Sequence, residues 1–332
     1  TLFPYTTLFR SGAGRAGRGA EACAAAVRRV FGAVETRASA GPGEVTRLVR
    51  EAVRRGAERV VVLGGDGTVN EAVGGLADED GELLDGLPEL VFLTAGTGAD
   101  YARSLGTHGL GFDDALAGGE LRAIDLGRAR LAGPDGRPRA RLFANIASAG
   151  GSAHVAAAVD RASKRLGGRA AFIWGTLKGL ATWRDRALRV EVDGEPAERA
   201  PLNSVVAAVG RCFGGGMRIA PGALLDDGLF DVIVMRGVSA LRFAVQGRRV
   251  YRGDHLELPQ FRRLTGRRVT VAPDDDGAPI PVETDGEHPG HLPLTCEILP
   301  AAVRVRAPFV RAGAVTPPDP DRETVAAASR YF

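Results

Sequence analysis

A chain of 332 residues and 34.7 kDa is longer than one hydrophobic core usually supports, so its length predicts two domains. Its 45% hydrophobic and 25% charged residues are typical of a globular protein, and a net charge of +3 is too small to indicate nucleic-acid binding. Three widely separated cysteines show neither disulfide nor metal-binding spacing, which favours the reducing cytoplasm. No apolar run reaches the roughly 18 residues that a membrane-spanning helix needs, so we expect no transmembrane segment.

The start of the chain differs in composition from the sequence after it. Residues 1–10 lack an initiator Met, whereas the next stretch is rich in Ala, Arg and Gly. This contrast leaves open whether residues 1–10 are native. Downstream, the pattern of apolar residues predicts helices over 18–30 and 43–55 and a strand over 59–63.

A glycine-rich turn follows this strand. Residues 60–63 are Val-Val-Val-Leu, and residues 64–68 read Gly-Gly-Asp-Gly-Thr. Thr68 and Glu71 have the spacing of a capping box, which predicts that a helix begins near Thr68. Glycine lets the backbone approach an anion, and the free amides at a helix start attract negative charge. The turn therefore predicts a phosphate-binding site.

Asp66 lies inside this turn, where its charge would repel a bare phosphate. A bridging metal ion or a role in proton transfer explains a carboxylate at this position, although an isolated Asp-Gly pair is usually an ordinary turn. A second apolar run, 90–93, also ends in a glycine-rich turn, 94–100. Ligands of parallel α/β sheets bind beyond the carboxyl ends of the strands, so we expect the two turns to flank one crevice.

The second half of the chain predicts a β-rich, sandwich-like domain. Asp-Gly pairs at 135, 193 and 285 indicate hairpin turns. The predicted strands are 141–146, 188–192, 204–209, 229–234, 268–271 and 280–283, and the predicted helices are 153–165, 170–183 and 239–249. Basic residues over 161–169 precede the aromatic helix 170–183, which fits either an anionic membrane surface or a core-packed helix. Residues 315–332 are predicted to form a loose tail.

Residues 64–71, GGDGTVNE, and residues 96–103, GTGADYAR, together closely resemble the catalytic domain of the diacylglycerol kinase family. This family includes bacterial lipid kinases and, more distantly, sphingosine and ceramide kinases. The first motif alone is shared with NAD kinases and 6-phosphofructokinases. Further blocks match the family in order and spacing over about residues 11–308, namely 143–145, 214–216, 219–232 and 283–287.

The resemblance implies an α/β nucleotide-binding domain over residues 1–125 and a β-sandwich-like lipid-binding domain over residues 126–300, with the active site in the cleft between them. Residues 301–332 would return to the first domain and end in the tail. It also implies Mg²⁺-dependent transfer of the ATP γ-phosphate to a lipid hydroxyl, most simply from diacylglycerol to phosphatidic acid. The partner would be a lipid at the inner face of the membrane, with no nucleic acid, and assembly as a homodimer is left open.

The resemblance also implies roles for individual residues. Glu287 would be the general base on the acceptor hydroxyl and Asp66 a second catalytic carboxylate. Asp66, Asp100 and Asp125 would hold the catalytic Mg²⁺, and Asp226, Asp227 and a carbonyl near Leu229 a structural one. The implied nucleotide-binding residues are Ser11, Gly12, Thr36, Gly64, Gly65, Asp66, Gly67, Thr68, Glu71, Gly96, Thr97, Asp100 and Asp285. These types fit the chemistry, because phosphoryl transfer needs positioning and charge neutralisation. A solvated Glu287 and a plain surface turn at 226–228 are the alternatives.

Several positions depart from the family pattern. Leu8 and Phe9 replace a usual Asn-Pro, so we expect an altered first strand. Ala99 replaces a common Asn in the second glycine turn, and Val209 replaces an Asn before the block 214–216. Ala99 and the altered first strand leave open a homologue that binds nucleotide or lipid without catalysis. The shared first motif leaves open a kinase of the NAD kinase type, which the blocks in the second half argue against.

Overall fold

The computed structural model of the protein describes residues 5–10, 16–94, 99–161 and 168–309. Its first part alternates parallel strands with helices, as the apolar runs and glycine turns predict. The strands, hydrogen-bonded in the order β2-β1-β3-β4, are β1 Tyr5–Arg10, β2 Glu35–Ser39, β3 Arg59–Gly64 and β4 Glu89–Thr94. The helices are α1 Ala16–Phe31, α2 Glu44–Arg54, α3 Asp66–Gly74, α4 Asp100–Leu105 and α5 Phe112–Ala117.

Helices cover both faces of this parallel sheet, because successive side chains of a strand point to opposite faces. Val60 and Val62 of β3 belong to a core cluster with α2 and α3. Val61 and Leu63 belong to a second cluster with α1 and α5. A strand buried on both faces has to be apolar at every position, which is the run that the sequence shows at 60–63.

The first strand is regular, although the sequence analysis predicted an altered one. Leu8 of β1 pairs with Arg37 on one side and with Val62 on the other, so β1 lies between β2 and β3. The prediction of an altered first strand is therefore wrong for the backbone. Parallel pairing uses main-chain N–H and C=O groups, which every residue except proline has, so Leu8 and Phe9 do not disturb it.

The second part is mainly antiparallel and includes three helices. These are α6 Gly151–Asp160, α7 Gly168–Thr182 and α8 Ala240–Arg252. The strands are β5 Glu120–Ala132, β6 Pro138–Phe143, β7 Ile146–Gly150, β8 Arg186–Val192, β9 Glu195–Leu202, β10 Ser204–Ala208, β11 Phe230–Met235, β12 Phe261–Gly266, β13 Arg268–Pro273, β14 Pro281–Thr284 and β15 Glu287–Ala307. The predicted fold class, an α/β domain followed by a β-rich sandwich, is confirmed.

The 21-residue strand β15 joins the two parts. It pairs with β14, β13 and β5, and its Val305 lies beside Leu90 of β4. The residue pattern did not predict this strand, because prolines usually mark strand ends. Here the pairing of β15 with β5 is irregular at two places, and Pro293 and Pro300 lie at them. Proline has no N–H to donate, so at these places it removes no hydrogen bond from the regular part of the ladder.

Three Asp-Gly hairpin turns were predicted, and all three are confirmed. Asp135-Gly136 joins β5 to β6, Asp193-Gly194 joins β8 to β9, and Asp285-Gly286 joins β14 to β15. Asp193 and Asp285 adopt positive φ angles of 54° and 48°, which Asp tolerates better than most residues. The predicted strand 141–146, in contrast, is broken into β6 and β7.

The three cysteines are buried free thiols, in keeping with the predicted absence of disulfides. Within the described ranges, no helix has the length and apolar character required to cross a membrane.

Candidate active site

The turn between β3 and α3 is closely packed. A Cβ atom on Gly64 would lie 2.3 Å from Thr68 Oγ1, so only glycine fits at the end of this strand. Helix α3 begins at Asp66 with Gly65 as its N-cap, and no side chain caps it. The predicted capping box is therefore wrong. Thr68 is buried inside the first turn, and Glu71 instead accepts a hydrogen bond from Val45 N–H in the first turn of α2 at 3.2 Å.

Asp66 links the two glycine turns. Its carboxylate accepts hydrogen bonds from Asp100 N–H and Tyr101 N–H, both at 3.1 Å. These amides belong to the start of α4, where a helix leaves backbone donors without an internal partner. Ala99 before them adopts the left-handed conformation with φ 51°, which favours Gly or Asn. The Asn that the family prefers at this position is therefore explained by backbone conformation.

Asp100 connects the first part of the fold to the second. Its buried carboxylate accepts hydrogen bonds from Gly215 N–H at 2.8 Å and from Gly216 N–H at 2.6 Å. Burial, and after it the negative charge of Asp66, raises the pKa of Asp100 to about 7. Asp66 and Asp100 are therefore close enough for the charge of Asp66 to disfavour ionisation of Asp100.

Asp285 draws together the strands of the second part. Its carboxylate accepts hydrogen bonds from Ala144, Asn145 and Ile146 N–H at 2.8, 3.0 and 2.9 Å. These amides point to Asp285 and not to a neighbouring strand, which is why the predicted strand 141–146 is broken. Burial raises the pKa of Asp285, and the three N–H groups oppose that effect by stabilising the carboxylate.

Asn70 connects helix α3 to this carboxylate. Its Nδ2 donates to Asp285 at 3.4 Å, and its Oδ1 accepts from the Arg141 guanidinium at 2.6 Å. Asn70 is in the motif 64–71, but no role was predicted for it. The available signal was its spacing, since Asn70 lies one helical turn before the apolar Val73 and thus on the buried face of α3.

Glu283 was also missed as a site residue. Its carboxylate is buried and accepts hydrogen bonds from Ser148 Oγ at 2.7 Å and from Gly286 N–H at 2.5 Å. Burial raises the pKa of Glu283 to about 7. The residue precedes the Asp285-Gly286 turn, so its hydrogen bond to Gly286 holds the turn closed. Only the tertiary contacts distinguish it from an ordinary strand Glu.

Glu287 is exposed and is the first residue of β15, paired in register with Thr284. The turn before it is held by Asp285 and Glu283, so the position of its backbone is determined even though its side chain is open to solvent.

Other predicted residues lie apart from this group. Thr36 pairs with Thr7 of β1, which on its other side pairs with Val61 of β3. Thr36 therefore lies two strands from β3 and roughly 10 Å short of the level of Gly64, measured along the strands. The structure does not bring Thr36 to the site. Ser11, Gly12, Gly96 and Thr97 are outside the described residues.

Asp125 belongs to a second acidic group, away from Asp66 and Asp100. It accepts hydrogen bonds from Gly228 N–H at 2.7 Å and Ala301 N–H at 2.8 Å. Burial, and then the charge of Asp226, raises its pKa. Burial also raises the pKa of Asp227, whose carboxylate accepts from Leu229 N–H. Asp226 lies 3.7 Å from the Arg122 guanidinium. A structural Mg²⁺ at Asp226, Asp227 and a carbonyl near Leu229 stays a prediction.

A mostly apolar cavity of about 270 Å³ reaches Asp66 and Asp100. Its polar lining also includes Asp285, Glu283, Asp160 and Asn203. Most of its wall is apolar and comes from the sheet and from α6, α7 and α8, for example Val155, Phe172, Leu180, Met235, Phe243 and Val250. Such a pocket suits a ligand with an apolar body and one polar end.

Comparison with known families agrees with this geometry. The model described as "Diacylglycerol kinase catalytic domain" matches residues 9–129, and the one described as "YegS C-terminal NAD kinase beta sandwich-like domain" matches residues 145–307. The "Diacylglycerol kinase" of Mycobacterium tuberculosis (strain ATCC 25618 / H37Rv) is 30% identical over 80% of this chain and 82% of its own. This chain belongs to the diacylglycerol kinase family of lipid kinases.

Two further comparisons describe the range of this family. The "Probable lipid kinase YegS-like" of Chromohalobacter salexigens is 32% identical to this lipid kinase over 80% of the chain and 81% of its own length. The crystal structure of a diacylglycerol kinase from Bacillus anthracis str. Sterne matches this protein with a TM-score of 0.66 and 19% identity. The match covers 95% of this chain and 100% of the Bacillus anthracis chain. That likeness confirms the fold. The name of the first relative specifies diacylglycerol, whereas the name of the second specifies only a lipid.

Proposed function

We propose that this lipid kinase transfers the γ-phosphoryl group of ATP to the hydroxyl of diacylglycerol, giving phosphatidic acid at the inner face of the membrane. One observation carries the proposal. Asp66, Asp100 and Asp285 line the mostly apolar cavity, so a lipid whose acyl chains fill the cavity would bring its hydroxyl within reach of these carboxylates.

The β3–α3 turn supports a phosphate site beside this hydroxyl. Gly64 allows the backbone to turn directly into α3, and the first turn of that helix presents unpaired N–H groups and the positive end of its dipole. The β- and γ-phosphates of ATP would bind there. The second glycine turn would close the other side, since α4 is hydrogen-bonded to Asp66.

The pair of Asp66 and Asp100 fits a divalent cation. Burial and the charge of Asp66 raise the pKa of Asp100, so a cation there would relieve the repulsion between the two carboxylates. Mg²⁺ commonly binds one or two carboxylates together with water and phosphate oxygens. Among the described residues, no three or more His, Cys, Asp or Glu side chains converge on one point. The other ligands of the cation would therefore be phosphate oxygens and water. Mg²⁺ held by Asp66 and Asp100 would neutralise charge on the phosphoryl group as it transfers.

Glu287 is the proposed general base. It is one residue beyond Gly286, which lines the cavity, and the hydrogen bonds to Asp285 and Glu283 hold the turn before it. An exposed carboxylate next to the acceptor hydroxyl would accept its proton as the bond to phosphorus forms. Asp66 would position the phosphates through the cation and the start of α4.

The test is phosphorylation of lipid with labelled ATP. The purified protein is incubated with Mg²⁺ and either diacylglycerol in mixed micelles or a total lipid extract, and the products are separated. Asp66→Asn and Glu287→Gln are each expected to lower turnover by about a hundredfold or more. Asp80→Asn and Glu195→Gln, which change exposed carboxylates elsewhere, serve as matched controls.

Parallel reactions distinguish the alternatives. Labelling of a different lipid would correct the acceptor and keep the mechanism. Labelling of NAD without any lipid would establish a kinase of the NAD kinase type, and ATP binding without turnover on any acceptor would establish a non-catalytic homologue. Full activity in both target variants would refute the proposed roles of Asp66 and Glu287.

A further inference from the structure

Helices α7 and α8 form one wall of the apolar cavity. Phe172, Thr176 and Leu180 of α7 line it, as do Phe243 and Val250 of α8. Residues at these spacings lie on one face of each helix, so each helix has a second face directed away from the cavity. In an ordinary amphipathic helix, that outer face is polar.

The outer faces of these two helices are instead partly apolar. Trp174 is 63% exposed on α7, and Leu241 and Val245 are 76% and 73% exposed on α8. Of the large apolar side chains that are exposed among the described residues, four of seven are on α7 or α8, including Ile173. Leu241 and Val245 are one helical turn apart and form a continuous stripe. A cluster of exposed apolar side chains of this kind indicates a surface that contacts another molecule or a membrane.

The same faces are positively charged. Neither α7 nor α8 contains an Asp or Glu. Lys178 follows Trp174 by one turn, and Arg248 and Arg252 continue the stripe of Leu241 and Val245. Among the described residues, these three cations have no ion pair. Arg249, which points elsewhere, does pair with Asp254 and Glu257.

We propose that α7 and α8 dock the protein on a bilayer that contains anionic lipid, through a docking face formed by Trp174, Lys178, Leu241, Val245, Arg248 and Arg252. The apolar side chains would enter the boundary between headgroups and acyl chains, and the cations would bind the anionic headgroups. The proposal rests on the proposed function in one respect, since docking brings the wall of the lipid cavity against the membrane that supplies the lipid.

Charge argues against a second copy of the chain as the occupant. In a two-fold dimer, the same surface of both copies meets, so a central Arg248 or Arg252 would approach its own counterpart. These like charges would repel each other with no acid on either helix to compensate, whereas an anionic bilayer would attract them all.

Vesicle co-sedimentation tests the docking face without ATP or diacylglycerol. The full chain is mixed with vesicles of phosphatidylcholine alone or with about one-third phosphatidylglycerol. The apolar variant is Trp174→Ser/Leu241→Ser/Val245→Ser, and the charge variant is Arg248→Gln/Arg252→Gln. Their exposed positions leave the fold intact, which circular dichroism and the melting temperature check. The matched controls are Val30→Ser/Leu110→Ser and Arg28→Gln/Arg54→Gln, which change exposed residues of the first part.

Wild type is expected to bind the anionic vesicles and to bind neutral ones weakly. Each Arg near an anionic surface contributes a factor of about five, so the charge variant should bind about thirtyfold more weakly. The apolar variant should lose at least about tenfold on both kinds of vesicle. The controls should bind like wild type.

Other outcomes overturn the proposal. Wild-type binding in both target variants, or equal losses in the controls, would mean that another surface contacts the membrane. A wild-type dimer that becomes monomeric in the target variants, with vesicle binding unchanged, would assign the face to self-association. Because the assay contains no ATP or acceptor, it gives its answer even if the protein phosphorylates no lipid. Conversely, activity on diacylglycerol in detergent micelles should persist in both target variants.

Discussion

Replacement of Glu283 by Gln is expected to change how stability depends on pH. Burial raises the pKa of Glu283 from 4.5 to about 7, so between these values the folded protein holds a proton that the unfolded chain has released. Folding is then favoured by protonation, and stability is lost as the pH rises through about 7. Each pKa unit corresponds to about 1.4 kcal/mol, so ionised Glu283 costs ~3 kcal/mol of folding free energy at alkaline pH.

Gln keeps the hydrogen bonds without the charge. Its oxygen still accepts from Gly286 N–H, and its amide donates to Ser148 Oγ. Glu283→Gln should therefore differ from wild type by less than ~1 kcal/mol at pH 5 and exceed its stability at pH 8 by up to ~3 kcal/mol. Burial and the charge of Asp66 also raise the pKa of Asp100 to about 7, so ionisation of Asp100 likewise lowers stability as the pH rises. The Glu283→Gln variant should keep this contribution of Asp100 to the pH dependence.

Urea unfolding at several pH values between 5 and 8 measures the effect through the free energy of unfolding. Glu195→Gln, which changes an exposed Glu in β9, is the matched control and should retain the full wild-type slope. If Glu283→Gln loses as much stability between pH 5 and 8 as wild type does, Glu283 has the same charge at both values. That result would refute the prediction that buried Glu283 keeps its proton up to about pH 7.

Two further predictions concern the nucleotide turn and its link to Asp285. Gly64→Ala would place a Cβ 2.3 Å from Thr68 Oγ1, so it should lower the free energy of unfolding by about 1–3 kcal/mol and reduce lipid phosphorylation at least tenfold. Gly41→Ala, which meets nothing within 4 Å, should alter neither. Asn70→Ala removes the acceptor of the Arg141 guanidinium, which should cost about 1.5–3 kcal/mol in urea unfolding and lower kcat more than it raises the KM for ATP; unchanged kcat would exclude a positioning role for Asn70.

The local pattern of residues was sufficient to predict the elements around the first turn. Residues 60–63 are apolar at every position and are followed by glycines, and this combination has few structural solutions other than a buried strand entering a tight turn. The Asp-Gly hairpins were predictable for the same reason, since each depends on the conformations allowed to two adjacent residues. Family membership also followed from sequence, because several ordered blocks matched at once.

Contacts over long sequence separations could not be predicted in this way. Asp66 meets amides 34 and 35 residues later, and Asp285 meets amides about 140 residues earlier. The resemblance implied Thr36 as a nucleotide-binding residue, but the register of β2 against β1 holds it at mid-strand. Register depends on pairing along the whole strand and not on one residue.

The sequence by itself determined the two glycine turns, the order of α/β and β-rich parts and the family, because these depend on local backbone preferences and on blocks of adjacent residues. Only the tertiary structure decided which carboxylates lie near one another. It placed Asp66 beside Asp100 and Asp125 beside Asp226, and it buried Glu283, because burial and charge proximity arise from packing between distant segments.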